Sequence, residues 1–137
     1  MPEKYYLDTS IWIDYYENRS DNLRPLGDWA HRLLSLIEAK GNRIVASDLL
    51  IEELQVRFSE EEAKNILVSY RNIIINVEFT SSQLAEAGRI ARERDVPTAD
   101  ALHAILARDN GAVLIARDHH FEKLFDITRP YKPEELI

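Results

Sequence analysis

The chain has 137 residues, 45% of them hydrophobic and 30% charged, with 24 acidic against 17 basic side chains and a formal net charge of −7. This length fits one domain with a real core, and four glycines and five prolines leave no room for a fibrous or long disordered segment. The lack of cysteine excludes a disulfide framework, a thiolate metal site and a cysteine nucleophile, and the acidic balance argues against a polyanionic partner unless something other than lysine and arginine supplies positive charge.

Lys4 to Leu7 is a short apolar stretch that reads as a first strand ending at Asp8, followed by Thr9 and Ser10, either able to cap a helix through Ile11, Trp12 and Tyr15. Pro25 opens a second helix with Trp29, Leu33, Leu34 and Ile37 at helical spacing, and Gly41 stands where a left-handed stop belongs. Arg43 to Ala46 reads as a second strand, and Ser47 or Asp48 caps the helix carrying Leu50 and Leu54. Ser59 and Glu62 have capping-box spacing for another helix, and Ile73 to Phe79 is rich in β-formers. Thr80 to Ser82 start a helix through Leu84 and Ile90, Pro97 breaks the chain, and a further helix runs from Thr98 to Asn110 with Gly111 behind it. Ala112 to Ala116 is a nearly unbroken apolar run, as expected of a strand covered on both faces. Strands alternating with helices predict an α/β domain, a mainly parallel central sheet flanked by helices and joined by right-handed crossovers.

No apolar run approaches the roughly 20 residues needed to span a bilayer, and Met1-Pro2-Glu3-Lys4-Tyr5 lacks the basic-then-apolar layout of a secretory leader. A cytoplasmic protein without membrane contact is expected. HExxH, GxSxG and phosphate-cradling glycine loops are absent.

In parallel sheets the connections beyond the carboxyl ends of the strands form the ligand crevice. Asp8 and Asp118 lie at or just past such ends, Glu53 sits in the helix after the second strand, and Asp100 falls in the first turn of a helix. Each acid alone also has an ordinary use: Asp8 at a helix start, Asp100 favoured by the helix dipole, Glu53 paired with Arg57, Asp118 in a turn. Together they form a set of hard oxygen donors suited to a divalent cation, whose charge would offset part of the acidic balance. Adjacent Glu52 and Glu53 point about 100° apart on a helix, so only one can face such a site squarely. Asp100 and His103 share a helix face and His119-His120 follow Asp118, but the histidines fit hydrogen-bonded packing better than a transition-metal site. Lys64, Arg71, Arg89, Arg92 and Arg94 read as solvated surface on glutamate-rich helices.

Four segments, Tyr6-Leu7-Asp8-Thr9-Ser10, Ser47 to Leu54, Pro97 to Ala104 and Leu114 to Phe121, resemble the successive motifs of PIN-domain proteins, in the family's order. The similarity covers nearly the whole chain, whose length is that of a stand-alone VapC-type toxin. It implies a single PIN-like domain acting as an Mg²⁺- or Mn²⁺-dependent ribonuclease with Asp8, Glu53, Asp100 and Asp118 on the metal, and Ser10 as a supporting hydroxyl. Glu53 is preferred over Glu52 because the family's glutamate commonly precedes an inward leucine, here Leu54. The resemblance further implies an RNA substrate, a small antitoxin partner and a homodimer, with Trp12 and Trp29 available for its interface. Many members carry Thr or Ser two residues before the last aspartate, where this chain has Ala116. That missing hydroxyl leaves room for an alternative, a PIN-like binding module with little or no catalysis.

Overall fold

A computed structural model describes residues 2–137. Lys4–Leu7 (β1), Arg43–Ser47 (β2), Ile74–Val77 (β3), Ala112–Ile115 (β4) and Pro130–Tyr131 (β5) form one five-stranded sheet in the order β3-β2-β1-β4-β5, every pairing parallel. The register sets Tyr6 beside Val45 and Leu114, and these three side chains share one face of the sheet. Leu7, Ile44, Ala46 and Ile115 occupy the other. Because successive strand residues point to opposite faces, a strand apolar at every position builds two cores at once.

Ser81–Arg94 (α5) and Thr98–Asp109 (α6) cover the first face through Ala87, Ile90, Leu102 and Ile105. Thr9–Glu17 (α1), Leu26–Ala39 (α2), Asp48–Arg57 (α3) and Glu60–Val68 (α4) cover the second through Ile11, Trp12, Leu33, Leu34, Leu50 and Ile66. Three short 3₁₀ turns, Arg71–Ile73, His119–Leu124 and Pro133–Glu135, complete the chain. No helix among the described residues is long and apolar enough to cross a membrane.

The helix punctuation follows local chemistry. Ser47 accepts from the Leu50 N–H at 3.2 Å to start α3, Thr80 and Gln83 form a reciprocal capping box on α5, and Gly41 and Gly111 take the left-handed conformation after α2 and α6. Three expectations change. Asp8, not Thr9 or Ser10, stands at the N-cap of α1, and its side chain makes no cap hydrogen bond. The third strand begins one residue late, because Arg71–Ile73 forms a 3₁₀ turn. Trp12 is fully buried in the core and so has no surface to give a dimer, while Trp29 lies half-buried with the Arg117 guanidinium 5.9 Å from its ring.

Candidate active site

Asp8 is the first residue past β1, and its backbone N–H donates to the Ile115 carbonyl at 2.9 Å, extending the β1–β4 pairing by one step. That bond fixes the carboxylate at the carboxyl edge of the sheet centre. The Ser10 hydroxyl donates to Asp8 Oδ2 at 2.9 Å, and Oδ1 lies 3.7 Å from His103 Nε2. Glu53, one and a half turns into α3, faces the same point: its Oε1 accepts from the Thr9 hydroxyl at 2.6 Å and from His103 Nε2. Glu52 is exposed. Arg57 does not pair with Glu53 but grips Glu17 on α1 through two contacts of 2.9 Å, so the surface-pair use of Glu53 is not realised.

Asp100, in the first turn of α6, and Asp118, which caps the His119–Leu124 turn by accepting from the His120 N–H at 2.9 Å, form the second half of the site. His120 Nδ1 bridges them, 3.2 Å from Asp100 Oδ2 and 3.0 Å from Asp118 Oδ1. The Asp118 segment is pinned from behind, where Arg117 makes a bidentate pair with Glu134 at 2.7 Å on both arms. Among the described residues, donor atoms of Asp8, Glu53 and His103 lie within 4.8 Å of one another, as do those of Asp118, His119 and His120. The two halves sense each other through charge. Burial, reinforced by the charges of Asp8 and Asp118, pushes the Asp100 carboxyl up to about 6.

The remaining ionisations follow from burial and neighbours. Asp8, 6% exposed, is raised by burial despite His103 and Ser10. Burial acts to raise Glu53 as well, but the His103 hydrogen bond and charge with the Thr9 hydroxyl bring it below the ordinary glutamate value. His103 is fully buried, which disfavours its imidazolium, yet Glu53, Asp8 and Asp100 outweigh that and raise it. The ring thus lies among three acids whose charges favour its protonated form and oppose the cost of its burial.

Beneath the acids runs a chain of hydrogen bonds between residues far apart in sequence. His103 Nδ1 meets the Tyr6 hydroxyl at 2.6 Å, and that hydroxyl meets Ser47 Oγ at 2.7 Å, which also accepts from α3. Burial raises the Tyr6 phenol far above its usual range, keeping it neutral and able to bond. Tyr6→Phe therefore strands a buried ring nitrogen, and we expect a loss of about 1–2 kcal/mol in denaturant unfolding. A loss below the error of the measurement would show that the ring is held by Glu53 alone.

Residues 5–125 match the PIN domain family. The chain belongs to the PIN domain family. PIN domains are as a class nucleases and typically use divalent metals, and the buried Asp8, Glu53 and His103 group has the donors for one. No curated protein matches the chain by sequence. Its fold is similar to solved structures of VapBC2 from Rickettsia felis bound to a DNA fragment from their promoter (19% identity, TM-score 0.68, covering 94% of this chain and 98% of that one). It is also similar to a toxin-antitoxin complex from Klebsiella pneumoniae (19%, 0.62, 94% and 97%) and to FitAcB from Neisseria gonorrhoeae (17%, 0.60, 96% and 99%).

This PIN domain holds one further buried acid outside the four motifs. Asp14 on α1 is raised by burial, with Arg19 at 3.8 Å and Arg117 opposing the shift. The cations first read as solvated surface mostly are so: Lys64 pairs with Glu60 and Arg89 with Glu93 along their own helices, while Arg94 is tied to Asp126.

Proposed function

We propose that this PIN domain is an Mg²⁺- or Mn²⁺-dependent endoribonuclease, the toxin of a toxin–antitoxin pair, working in the cytoplasm as a homodimer. What supports the reading is the buried group of Asp8 and Glu53 around His103 past the carboxyl end of β1, with Asp100 raised by burial and by the charges of Asp8 and Asp118. The donor set fits a hard divalent cation, being mainly carboxylate oxygens, with the His103 and His120 imidazoles beside them. Asp8, Glu53 and Asp100 would hold it directly and Asp118 through a second position or a water.

When bound, such a cation supplies positive charge at a phosphodiester and acidifies water near neutral pH. The chain's own part is placement. The Ser10 hydroxyl fixes Asp8 Oδ2, while Thr9 and His103 share Glu53 Oε1 and leave Oε2 without a hydrogen bond among the described residues. Water adds to phosphorus in line with the departing 3′ oxygen, the P–O3′ bond breaks, and the water proton leaves through solvent while the 3′ oxygen gains one. The products carry a 5′-phosphate and a 3′-hydroxyl.

Incubation of nuclease-free protein with mixed single-stranded RNA tests this. Cleavage in Mn²⁺ that stops in EDTA and leaves 5′-phosphate ends supports the reading. Ala116, 3% exposed where many members carry a hydroxyl, favours the second reading, a binding module with weak or no catalysis. Mn²⁺ binding without turnover on any RNA would select it.

The Klebsiella relative is a toxin-antitoxin complex, and an antitoxin is the partner proposed here. Four clustered acids invite a guanidinium, which can bond two carboxylate oxygens at once. The antitoxin would therefore place an arginine in the site and compete with the metal.

A further inference from the structure

Next to Asp118 the surface opens into a cleft of about 400 Å³ whose wall includes His119, Phe125, Arg129 and Lys132. Its position matters, because a polynucleotide with one phosphate at the acids must run on past Asp118 into some neighbouring surface.

Arg129 and Lys132 make no ion pair among the described residues, whereas Arg117 in the same wall is tied to Glu134 and Arg94 is tied to Asp126. The Arg129 guanidinium instead lies 4.5 Å from the Tyr131 ring centroid and 5.9 Å from that of Phe125. Stacking on aromatic faces steadies the fork while leaving its N–H edge free to donate, the disposition suited to a phosphate. Phe125 is 57% exposed, an uncovered aromatic face beside an unpaired cation. Three acids also line the cleft, Asp118, Glu122 and Glu135; Glu135 is occupied, accepting from the Lys132 backbone N–H at 2.8 Å.

We infer that this cleft is a nucleotide subsite for single-stranded RNA, in which Arg129 and Lys132 take a phosphate adjoining the scissile one and Phe125 stacks a base. The inference rests on the ribonuclease reading above and names how its substrate is held. A cation and an aromatic interleaved at the edge of a groove are what single strands bind, since every base offers a π face whatever its sequence. It also bears on the charge objection, for Arg129 and Lys132 put two cations without ion pairs among the described residues beside the cleavage point of an otherwise acidic chain.

The test compares wild type, Arg129→Ala, Lys132→Ala and Phe125→Ala on a fluorescein-labelled mixed-sequence single-stranded RNA in Mn²⁺, with KM, kcat and the salt dependence of binding recorded. Each variant should raise KM severalfold to about tenfold at little change in kcat, and each lost cation should lower the salt slope by about one. Mn²⁺ affinity by calorimetry should match wild type, which a collapse of the site would not allow. The Lys132 ammonium makes no ion pair among the described residues, so Lys132→Ala remains informative even if Arg129→Ala disturbs Tyr131. KM and salt slope unchanged in Lys132→Ala and Phe125→Ala would overturn the subsite. Failure of the ribonuclease reading looks different, as wild type would cut no RNA. Fluorescence anisotropy on the intact RNA then decides: binding weakened by the same variants supports the cleft, and binding indifferent to them, or absent from wild type, overturns it.

Discussion

Asp8→Asn should lower kcat/KM for RNA cleavage in Mn²⁺ by on the order of a thousandfold, about 4 kcal/mol of lost transition-state stabilisation. The substitution is nearly isosteric, and the new amide oxygen can still accept from the Ser10 hydroxyl that now bonds Asp8 Oδ2 at 2.9 Å. The backbone bond from residue 8 to Ile115 is untouched. What disappears is one full negative charge at the sheet centre, held in a position 6% exposed where solvent screens it least. The loss should therefore fall on metal-dependent turnover with the unfolding midpoint shifted only a few degrees. Activity within tenfold of wild type, with contaminating nucleases excluded, would remove Asp8 from the site.

Asp100→Asn should reverse its effect on stability with the cation. Burial and the charges of Asp8 and Asp118 raise the Asp100 carboxyl to about 6, against 3.8 for the ordinary group. Across that window the folded protein holds a proton that the unfolded chain has released. The contribution of this group to stability is therefore fully present below about pH 4 and is lost as pH rises through about 6. Asp8 acts in the same sense and Glu53, whose carboxyl is lowered, in the opposite one; comparison with the Asn variant isolates residue 100. In EDTA at pH 7.5 the variant should be the more stable by about 1–3 kcal/mol, roughly 5 °C or more in midpoint. At pH 4 the gap should close. With Mn²⁺ the order should invert, because wild type gains stability by binding and the variant does not. Thermal melts under these three conditions check it, and a variant less stable than wild type in EDTA at pH 7.5 would contradict the repulsion on which the site is built.

Much of the frame was legible because it is written in local chemistry. Apolar runs marked β1, β2 and β4, and Ser47, Thr80, Gly41 and Gly111 marked helix ends through backbone geometry that depends on one or two residues. Strand β5 was not legible. It is two residues long and begins with Pro130, which has no N–H to donate, and what makes it a strand is pairing with β4 and the Ala116 N–H bond to the Tyr131 carbonyl at 3.0 Å. Among the site residues, the helical angle between Glu52 and Glu53 posed the right question, and packing answers it by turning Glu53 toward Thr9 and His103. The Tyr6, Ser47 and His103 chain joins positions 41 and 97 residues apart, so no window along the sequence contains it. The one available signal was a histidine three residues after Asp100 on the same helix face. Likewise the position of His119-His120 after Asp118 did not show that His120 bridges Asp100 and Asp118.

The central claim, that the four acids form one cation site, is tested most directly by calorimetric titration of Mn²⁺ into chelator-treated protein, wild type beside Asp100→Asn and Asp118→Asn. Asp100 and Asp118 are joined through His120, and Asp100 feels the charges of both Asp8 and Asp118, so each loss should be felt by the same binding event. Saturable binding in wild type that is lost in Asp100→Asn and weakened about tenfold or more in Asp118→Asn is the expected result. Wild-type binding that both variants retain unchanged would place the cation elsewhere and contradict the account.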